Sequence, residues 1–205
     1  MRILRKLALG FLLAAAAHAQ DAPKIEVFGG YSFAHAAFIG SKAVDLNGWN
    51  ASIADNLNPW FGLVADFSGH YGSSKLVAPL PPGACPPVCL PELTLHHRAS
   101  EFLFGPQFSL RTKSVTPFAH VMIGVFRSSD SVRIPLPTPP PNLNVSTGND
   151  QLFGAVGGGV DWNLNPWLAW RAQADAFSSS PDGRHHDNLR VSVGLVFRFG
   201  SSRAF

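Results

Sequence analysis

Hydrophobic and polar residues alternate along most of the chain after residue 24, and they do not recur at helical spacing. The alternating stretches are about ten residues long and end in clusters of Gly, Pro, Asn or Ser, which mark turns. This pattern predicts about eight strands. They span residues 25–34, 48–56, 61–71, 99–111, 116–126, 151–164, 168–177 and 188–199.

The two faces of each predicted strand differ in polarity. In 188–199, Leu189, Leu195 and Phe197 fall on one face, whereas Arg190 and Arg198 fall on the other. The other strands sort their residues in the same way. One exception is Asp55, which has the parity of the apolar face but lies near a strand end, where water or lipid headgroups reach it.

Two fold classes have this alternation. A soluble barrel turns its apolar face inward and usually carries Lys and Glu outside. Here the polar face carries Gly, Ser, Ala, Asn and a few charges, and strand lysine is nearly absent. An arginine facing lipid at mid-depth costs roughly 2–4 kcal/mol, so this sorting of charges favours the second class. We predict an all-β, closed antiparallel up-and-down transmembrane β-barrel, with a soluble barrel as the alternative.

The lengths of the connections support a membrane barrel. The long links are residues 35–47, 72–98, 127–150 and 178–187, and the tight turns are 57–60, 112–115 and 165–167. A bacterial barrel whose N-terminus lies in the periplasm has short turns on that side and longer loops outside. Long and short connections alternate here in that order.

Two tight turns repeat the sequence Asn-Leu-Asn-Pro-Trp, at residues 56–60 and 163–167. Asn-Pro favours a turn because proline fixes φ and keeps the preceding residue extended. The tryptophan that follows is expected at the membrane boundary, where an amphipathic ring is favoured. The repeat is either one hairpin turn used twice or the trace of a duplicated four-strand half. The predicted turn and interface residues are Asn58, Pro59, Trp60, Asn165, Pro166 and Trp167.

The N-terminus has the three parts of a Sec signal peptide. Arg2, Arg5 and Lys6 precede an apolar run over 7–17, and Ala-His-Ala then ends at Ala19. A retained anchor helix is the alternative, but the run is shorter than the ~20 apolar residues that span a bilayer. We therefore expect cleavage after Ala19, a barrel domain over residues 20–205, and location in a Gram-negative outer membrane.

The last strand carries a specific motif, from Ser192 to Phe199: a polar residue, a glycine two positions later, and two alternating aromatic residues. With this motif, the chain resembles the small OmpA-like outer-membrane β-barrel family. The resemblance implies that the barrel-assembly machinery recognises this strand and that lipid and lipopolysaccharide surround the barrel. Family members often end at the last aromatic residue, whereas this chain continues to Phe205. The implied assembly-signal residues are Ser192, Gly194, Phe197 and Phe199.

Charged residues make up only 14 % of the chain and the net charge is +3, without the basic cluster that nucleic-acid binding requires. The strand charges have lumen parity and are nearly balanced in sign. A barrel of roughly eight strands has room for side chains and little else, so these charges are expected to pair in a closed core. The predicted lumen charge network comprises Glu26, Asp66, Glu101, Arg111, Asp161, Arg171, Asp175, Arg190 and Arg198.

Chemistry outside the barrel wall is sparse. Cys85 and Cys89 are predicted to form a local disulfide in an exported chain, and two thiols without neighbouring ligands are a weak metal site. We predict no metal and no cofactor. The Pro-rich segments 76–95 and 132–145 are expected to be exposed loops. They are either a binding surface for an unidentified extracellular partner or solvated spacers.

Three functions are compatible with these features. A closed structural or interaction barrel displaying its loops comes first, and a narrow porin-like channel is the alternative. A lipid-modifying enzyme is the third, because Asp66, Ser68 and His70 share one face, although they are expected to point into the lumen and away from lipid. His70 and His120 are expected as hydrogen-bonded core residues. The pairs His96-His97 and His185-His186 are expected as exposed loop residues. In a strand, the two histidines of each pair would point to opposite faces, so neither pair would be a good chelator.

Overall fold

The computed structural model describes residues 22–37, 43–76, 93–135, 142–179 and 186–201. The predicted signal peptide (1–19), the pair Cys85 and Cys89, His185 and Phe205 lie outside these residues. Within the described part of the chain, no helix has the length and apolar character needed to cross a membrane.

Eight antiparallel strands form a closed barrel in which each strand pairs with the next along the chain. The cylinder closes where β1 pairs with β8. This result confirms the predicted fold class and the number of strands. The strands are β1 (Ile25–Ala37), β2 (Ala43–Asn56), β3 (Phe61–Leu76), β4 (Leu93–Ser109), β5 (Val115–Pro135), β6 (Asn142–Asn165), β7 (Leu168–Ser179) and β8 (His186–Phe199).

The barrel has two different ends. Three short connections, 57–60, 110–114 and 166–167, lie at the end where β1 begins and β8 finishes, here named the turn end. The opposite end is named the loop end. β4 ends at Ser109 and not at the predicted Arg111. The Nε of Arg111 donates to the carbonyl of Pro59 at 3.0 Å.

At the loop end the strands are longer than predicted. β5 and β6 stay paired from Arg127↔Asp150 to Pro135↔Asn142, so the prediction of an unpaired link over 127–150 is wrong. The other three long links are likewise shortened by strand residues. The prediction ended each strand where apolar alternation stops. Backbone pairing continues beyond that point through polar residues such as Ser128–Ser131, because in water neither face must be apolar.

Four strands rise above the others at the loop end. The β2–β3 ladder begins at Asn47↔Tyr71, and the β6–β7 ladder begins at Gly154↔Ser178. Beyond these pairs, β3, β4, β5 and β6 continue as a four-stranded sheet, here named the projecting sheet. Residues 142–153 of β6 form one edge of this sheet and have no second ladder partner among the described residues.

Apolar and charged side chains are distributed in the opposite way to those of a soluble protein. Large apolar side chains on the outer face are 37–75 % exposed, while eight charged side chains of the strands lie buried inside the cylinder. A soluble barrel would bury these apolar groups, so the distribution favours the transmembrane class. The exposed set includes Tyr31, Trp49, Ile53, Phe67, Phe102, Phe104, Ile123, Leu152, Val156, Trp170, Phe197 and Phe199.

Glycine permits the closing contact between β1 and β8. A Cβ placed on Gly30 would lie 2.1 Å from the Val193 carbonyl oxygen and 2.7 Å from the Gly194 Cα. Any side chain there would force the two strands apart. The neighbouring Gly29 faces the other way, and a Cβ on it would meet no atom within 4 Å.

We predict that Gly30→Ala lowers the free energy of unfolding by about 1–3 kcal/mol, the usual cost of overpacking a close contact. Urea unfolding of the barrel in lipid vesicles measures this change. Gly29→Ala is the matched control and is expected to leave stability nearly unchanged. Equal stability of the two variants would contradict the steric role of Gly30.

Candidate functional site in the barrel lumen

Arg190 lies at the centre of the lumen and is fully buried. Its Nη1 donates to Asp66 at 2.9 Å and to Glu101 at 2.8 Å, and its Nη2 donates to Asp175 at 2.7 Å. Arg190 and its acceptors, here named the central cluster, come from β8, β3, β4 and β7. One guanidinium therefore joins four strands across the lumen.

Neutral side chains complete the hydrogen bonding of the central cluster. Asn50 donates to Asp66 at 2.8 Å, and Ser68 donates to Glu101 at 2.7 Å. Asn50 in turn accepts a bond from Gln173 at 3.1 Å. The Nε2 of His120 lies 2.6 Å from an Asp175 oxygen. Each carboxylate thus has a second partner, as burial of a charge requires.

A second group of charges, here named the end cluster, lies toward the turn end. Arg171 binds Asp161 through two bonds of 2.6 and 3.0 Å. Arg198 bridges the two acids of this cluster, with Nε 3.1 Å from Glu26 and Nη2 3.0 Å from Asp161. Arg111 completes it, with Nη1 2.8 Å from Glu26. These bonds connect the first and last strands to the middle of the chain.

Eight of the nine predicted lumen charges are buried strand residues, and Arg111 reaches their ion pairs from the connection 110–114 at the mouth; together they form two groups of unequal charge. The central cluster has one guanidinium and three carboxylates, whereas the end cluster has three guanidiniums and two carboxylates. With neutral histidines their formal charges are −2 and +1. Strand parity places these residues in the lumen, but only the register between strands separates them into two groups.

Aromatic side chains also occupy the lumen, which the alternation pattern did not predict. Phe28 and Phe118 flank the Arg171 guanidinium, with ring centroids 5.4 and 4.3 Å from its Cζ. On the loop side of the central cluster, Phe153 lies 5.6 Å from Phe177 between ring centroids. The available signal was parity, since Phe28 lies two residues after Glu26 and Phe177 two residues after Asp175.

The Ser/His/acid arrangement considered from the sequence does not form a nucleophile–base pair. His70 is buried, and its Nε2 lies 2.9 Å from the Ser32 hydroxyl, not from Ser68. The Ser68 hydroxyl donates to Glu101 and accepts from Arg190 at 3.0 Å. Within the described residues, no group of three or more His, Cys, Asp or Glu side chains is arranged to hold a metal ion.

One histidine pair departs from expectation. His96 is exposed, but the expectation of an exposed loop position is wrong for His97, which is only 4 % exposed. Its Nδ1 lies 2.7 Å from Asp130, and its Nε2 lies 2.8 Å from the Ser74 hydroxyl. The cause is the extension of β4, which turns adjacent residues to opposite faces.

The two Asn-Pro-Trp turns share one hydrogen-bond arrangement. Asn58 Oδ1 accepts from the backbone N–H of Trp60 at 3.0 Å, and Asn165 Oδ1 accepts from that of Trp167 at 3.0 Å. Pro59 and Pro166 lie between the bonded residues. Both tryptophans are more than half exposed at the turn end. The side chain of each asparagine therefore fixes its turn.

The residues of the implied assembly signal occupy both faces of β8. Ser192 is buried and its hydroxyl donates to Ser32 at 2.9 Å. Gly194 pairs with Gly30 at the closing seam. Phe197 and Phe199 are exposed on the outer face. The motif thus contributes to the closing seam and to the apolar surface together.

We predict that Arg190→Met lowers the free energy of unfolding by about 3–5 kcal/mol, because it leaves three buried carboxylates without their cation. Urea unfolding in vesicles measures the loss. Arg127→Met is the control, since Arg127 pairs with Asp150 on an exposed surface and its removal is expected to change nothing measurable. An equally small effect at Arg190 would show that the central cluster does not stabilise the fold.

Comparison with known proteins finds no matching family model and no matching curated protein. Solved structures do match in fold. Ail of Yersinia pestis, crystallised with the heparin analogue sucrose octasulfate, has a TM-score of 0.58 at 13 % identity, over 86 % of this chain and 99 % of that one. Neisserial surface protein A has a TM-score of 0.53 at 13 % identity, over 88 % and 100 %. OprG of Pseudomonas aeruginosa has a TM-score of 0.53 at 12 % identity, over 88 % and 98 %. The chain therefore has the fold of the small outer-membrane β-barrels.

Proposed function

We propose that this protein is an integral outer-membrane barrel whose closed body anchors an interaction surface outside the cell. The observation that carries the proposal is the central cluster, in which Arg190 joins Asp66, Glu101 and Asp175 across the lumen. A barrel plugged in this way serves as an anchor. Its exposed part is then the loop end.

The contents of the lumen favour a closed barrel over the alternative narrow channel. Asp66, Asp175 and Arg190 are each 0–1 % exposed, so no water layer surrounds them. An ion crossing the lumen would have to separate buried pairs whose partners have no replacement from solvent. It would also have to pass the packed rings of Phe153 and Phe177. The central cluster and these rings both lie in the lumen, so an ion moving along the barrel axis would meet both.

The projecting sheet is the proposed interaction element. Its β6 edge, residues 142–153, has unpaired ladder positions among the described residues, and Ser146, Gly148 and Asp150 are exposed there. An open edge is a template on which a partner's extended strand can pair. Residues 132–135 and 142–145 of one Pro-rich segment are paired strand residues of this sheet, as are Leu76 and residues 93–95 of the other. An extracellular protein segment is therefore the proposed kind of partner.

The proposed orientation places the turn end in the periplasm and the loop end outside. The connections have 2 to 5 residues at the turn end and 5 to 16 at the loop end, which supports this orientation. A signal peptide cleaved after Ala19 would export the chain. The barrel-assembly machinery would then recognise Ser192, Gly194, Phe197 and Phe199, and lipid and lipopolysaccharide would surround the exposed apolar band.

No catalytic role is proposed, because Ser68 and His70 are each committed to other partners inside the lumen. A lipid-modifying enzyme needs a nucleophile that reaches lipid. Both side chains face away from the outer surface and are buried. Hydrolysis of lipid A that is lost on His70→Ala would favour the enzyme hypothesis instead.

We predict that the purified barrel shows no stepwise conductance in planar lipid bilayers, because buried ion pairs and aromatic rings fill its lumen. Samples should first be shown to be folded by their heat-dependent gel mobility. A steady conductance well above that of the bare bilayer would contradict the closed barrel and favour the channel.

We also predict that the mature protein is recovered from the outer-membrane fraction only with detergent and starts at Gln20. Boiled and unboiled samples should migrate differently, because a closed barrel resists unfolding by detergent until it is heated. N-terminal sequencing and gel electrophoresis measure both properties. Recovery from a periplasmic extract without detergent would contradict the proposed location.

A further inference from the structure

The turn-end mouth of the barrel contains a cavity of about 330 Å³ with a mixed polar and apolar lining. Arg111, Lys113 and Arg198 line it together with the polar side chains of Thr116 and Asn163. This volume falls in the ~300–1,000 Å³ range of small-molecule pockets. Three cationic side chains around one small cavity indicate an anionic occupant.

The surroundings of the cavity carry surplus positive charge. The end cluster has one more guanidinium than carboxylate, and Lys113 adds an ammonium group that forms no ion pair with any described residue. The local excess is therefore two positive charges. Arg198 contributes mainly through its charge, because each of its three nitrogens already donates a hydrogen bond, to Glu26, Asn163 and Asp161.

Arg111 supplies the second observation. Its side chain is 9 % exposed; Nε donates to the Pro59 carbonyl and Nη1 to Glu26. Its Nη2 is buried and has no hydrogen-bond partner among the described residues. A buried guanidinium N–H without a partner is costly. Because Arg111 lines the cavity, a small rotation of its side chain would let this nitrogen donate to an oxyanion there.

The turn that carries Lys113 is held in place. Thr112 N–H donates to the Val115 carbonyl at 3.0 Å, and Val115 N–H donates to the Thr112 hydroxyl at 3.1 Å. Asn163 Nδ2 also donates to the Thr112 carbonyl at 2.9 Å. Because these hydrogen bonds already fix the turn, little backbone entropy would be lost when Lys113 binds an anion.

We propose that the turn-end mouth binds one phosphate group between Arg111 and Lys113. Guanidinium and ammonium groups are the side chains that recognise phosphate, and a phosphate carrying up to two negative charges matches the local excess. The group could be free phosphate or part of a phospholipid headgroup, since both present the same oxygens. The site lies at the opposite end from the projecting sheet and does not depend on the function proposed for it.

The test is a titration of the refolded barrel in dodecyl maltoside, followed by NMR of the backbone amides of residues 112–114. Inorganic phosphate is one probe and dihexanoyl phosphatidylglycerol is the other, each against a constant chloride background. We expect saturable shifts with a Kd of about 1 mM or below. Lys113→Gln should weaken binding about tenfold, because it removes a charge-assisted hydrogen bond from a side chain that does not support the fold.

Lys24→Gln is the matched control, since Lys24 lies at the same end but is paired with Asp55 at 2.7 Å. The Lys24→Gln variant should bind both probes with the affinity of the wild type. Saturation by inorganic phosphate alone supports a free-anion site, and saturation by the lipid supports a headgroup site. The proposal is overturned if neither probe saturates up to about 10 mM, or if both lysine variants weaken binding equally.

Discussion

The pairing of β1 with β8 is the constraint on which the rest of the structure depends. Because the ladder closes, the barrel wall has no free edge, and each strand side chain points either into the lumen or away from it. The alternation of residues along each strand then separates charges from apolar groups. At the closing seam the strands approach so closely at Gly30 and Gly194 that neither position has room for a side chain.

Closure also brings distant residues together. Arg190 and Asp66 are 124 positions apart in the sequence, and they meet because β8 and β3 face each other across a narrow cylinder. Their ion pair offsets the cost of burying both charges, and a buried pair is not by itself a large source of stability. Its main effect is geometric, since the bonded side chains occupy the space that a permeating ion would need.

Much of the fold could be predicted from the two-residue repeat of apolar and polar positions. The same repeat identifies the strands and the face on which each side chain lies. The ends of the strands could not be predicted in this way, since Ser128–Ser131 continue β5 through backbone pairing although they are polar on both faces. Lumen residues could be identified by parity, but their partners could not. Asp161 binds Arg171 while Asp175 binds Arg190, and this choice follows from the register between strands. The lumen position of Phe177 was missed because apolar residues were assigned to lipid.

The two Asn-Pro-Trp turns lie between β2 and β3 and between β6 and β7, four strands apart in a ring of eight. Trp60 and Trp167 are therefore on opposite sides of the cylinder and at the same end. Interfacial tryptophans resist movement along the membrane normal. With both indoles at the membrane boundary that the sequence predicts for them, tilting of the barrel in the plane that contains them would be resisted more than tilting about the line that joins them.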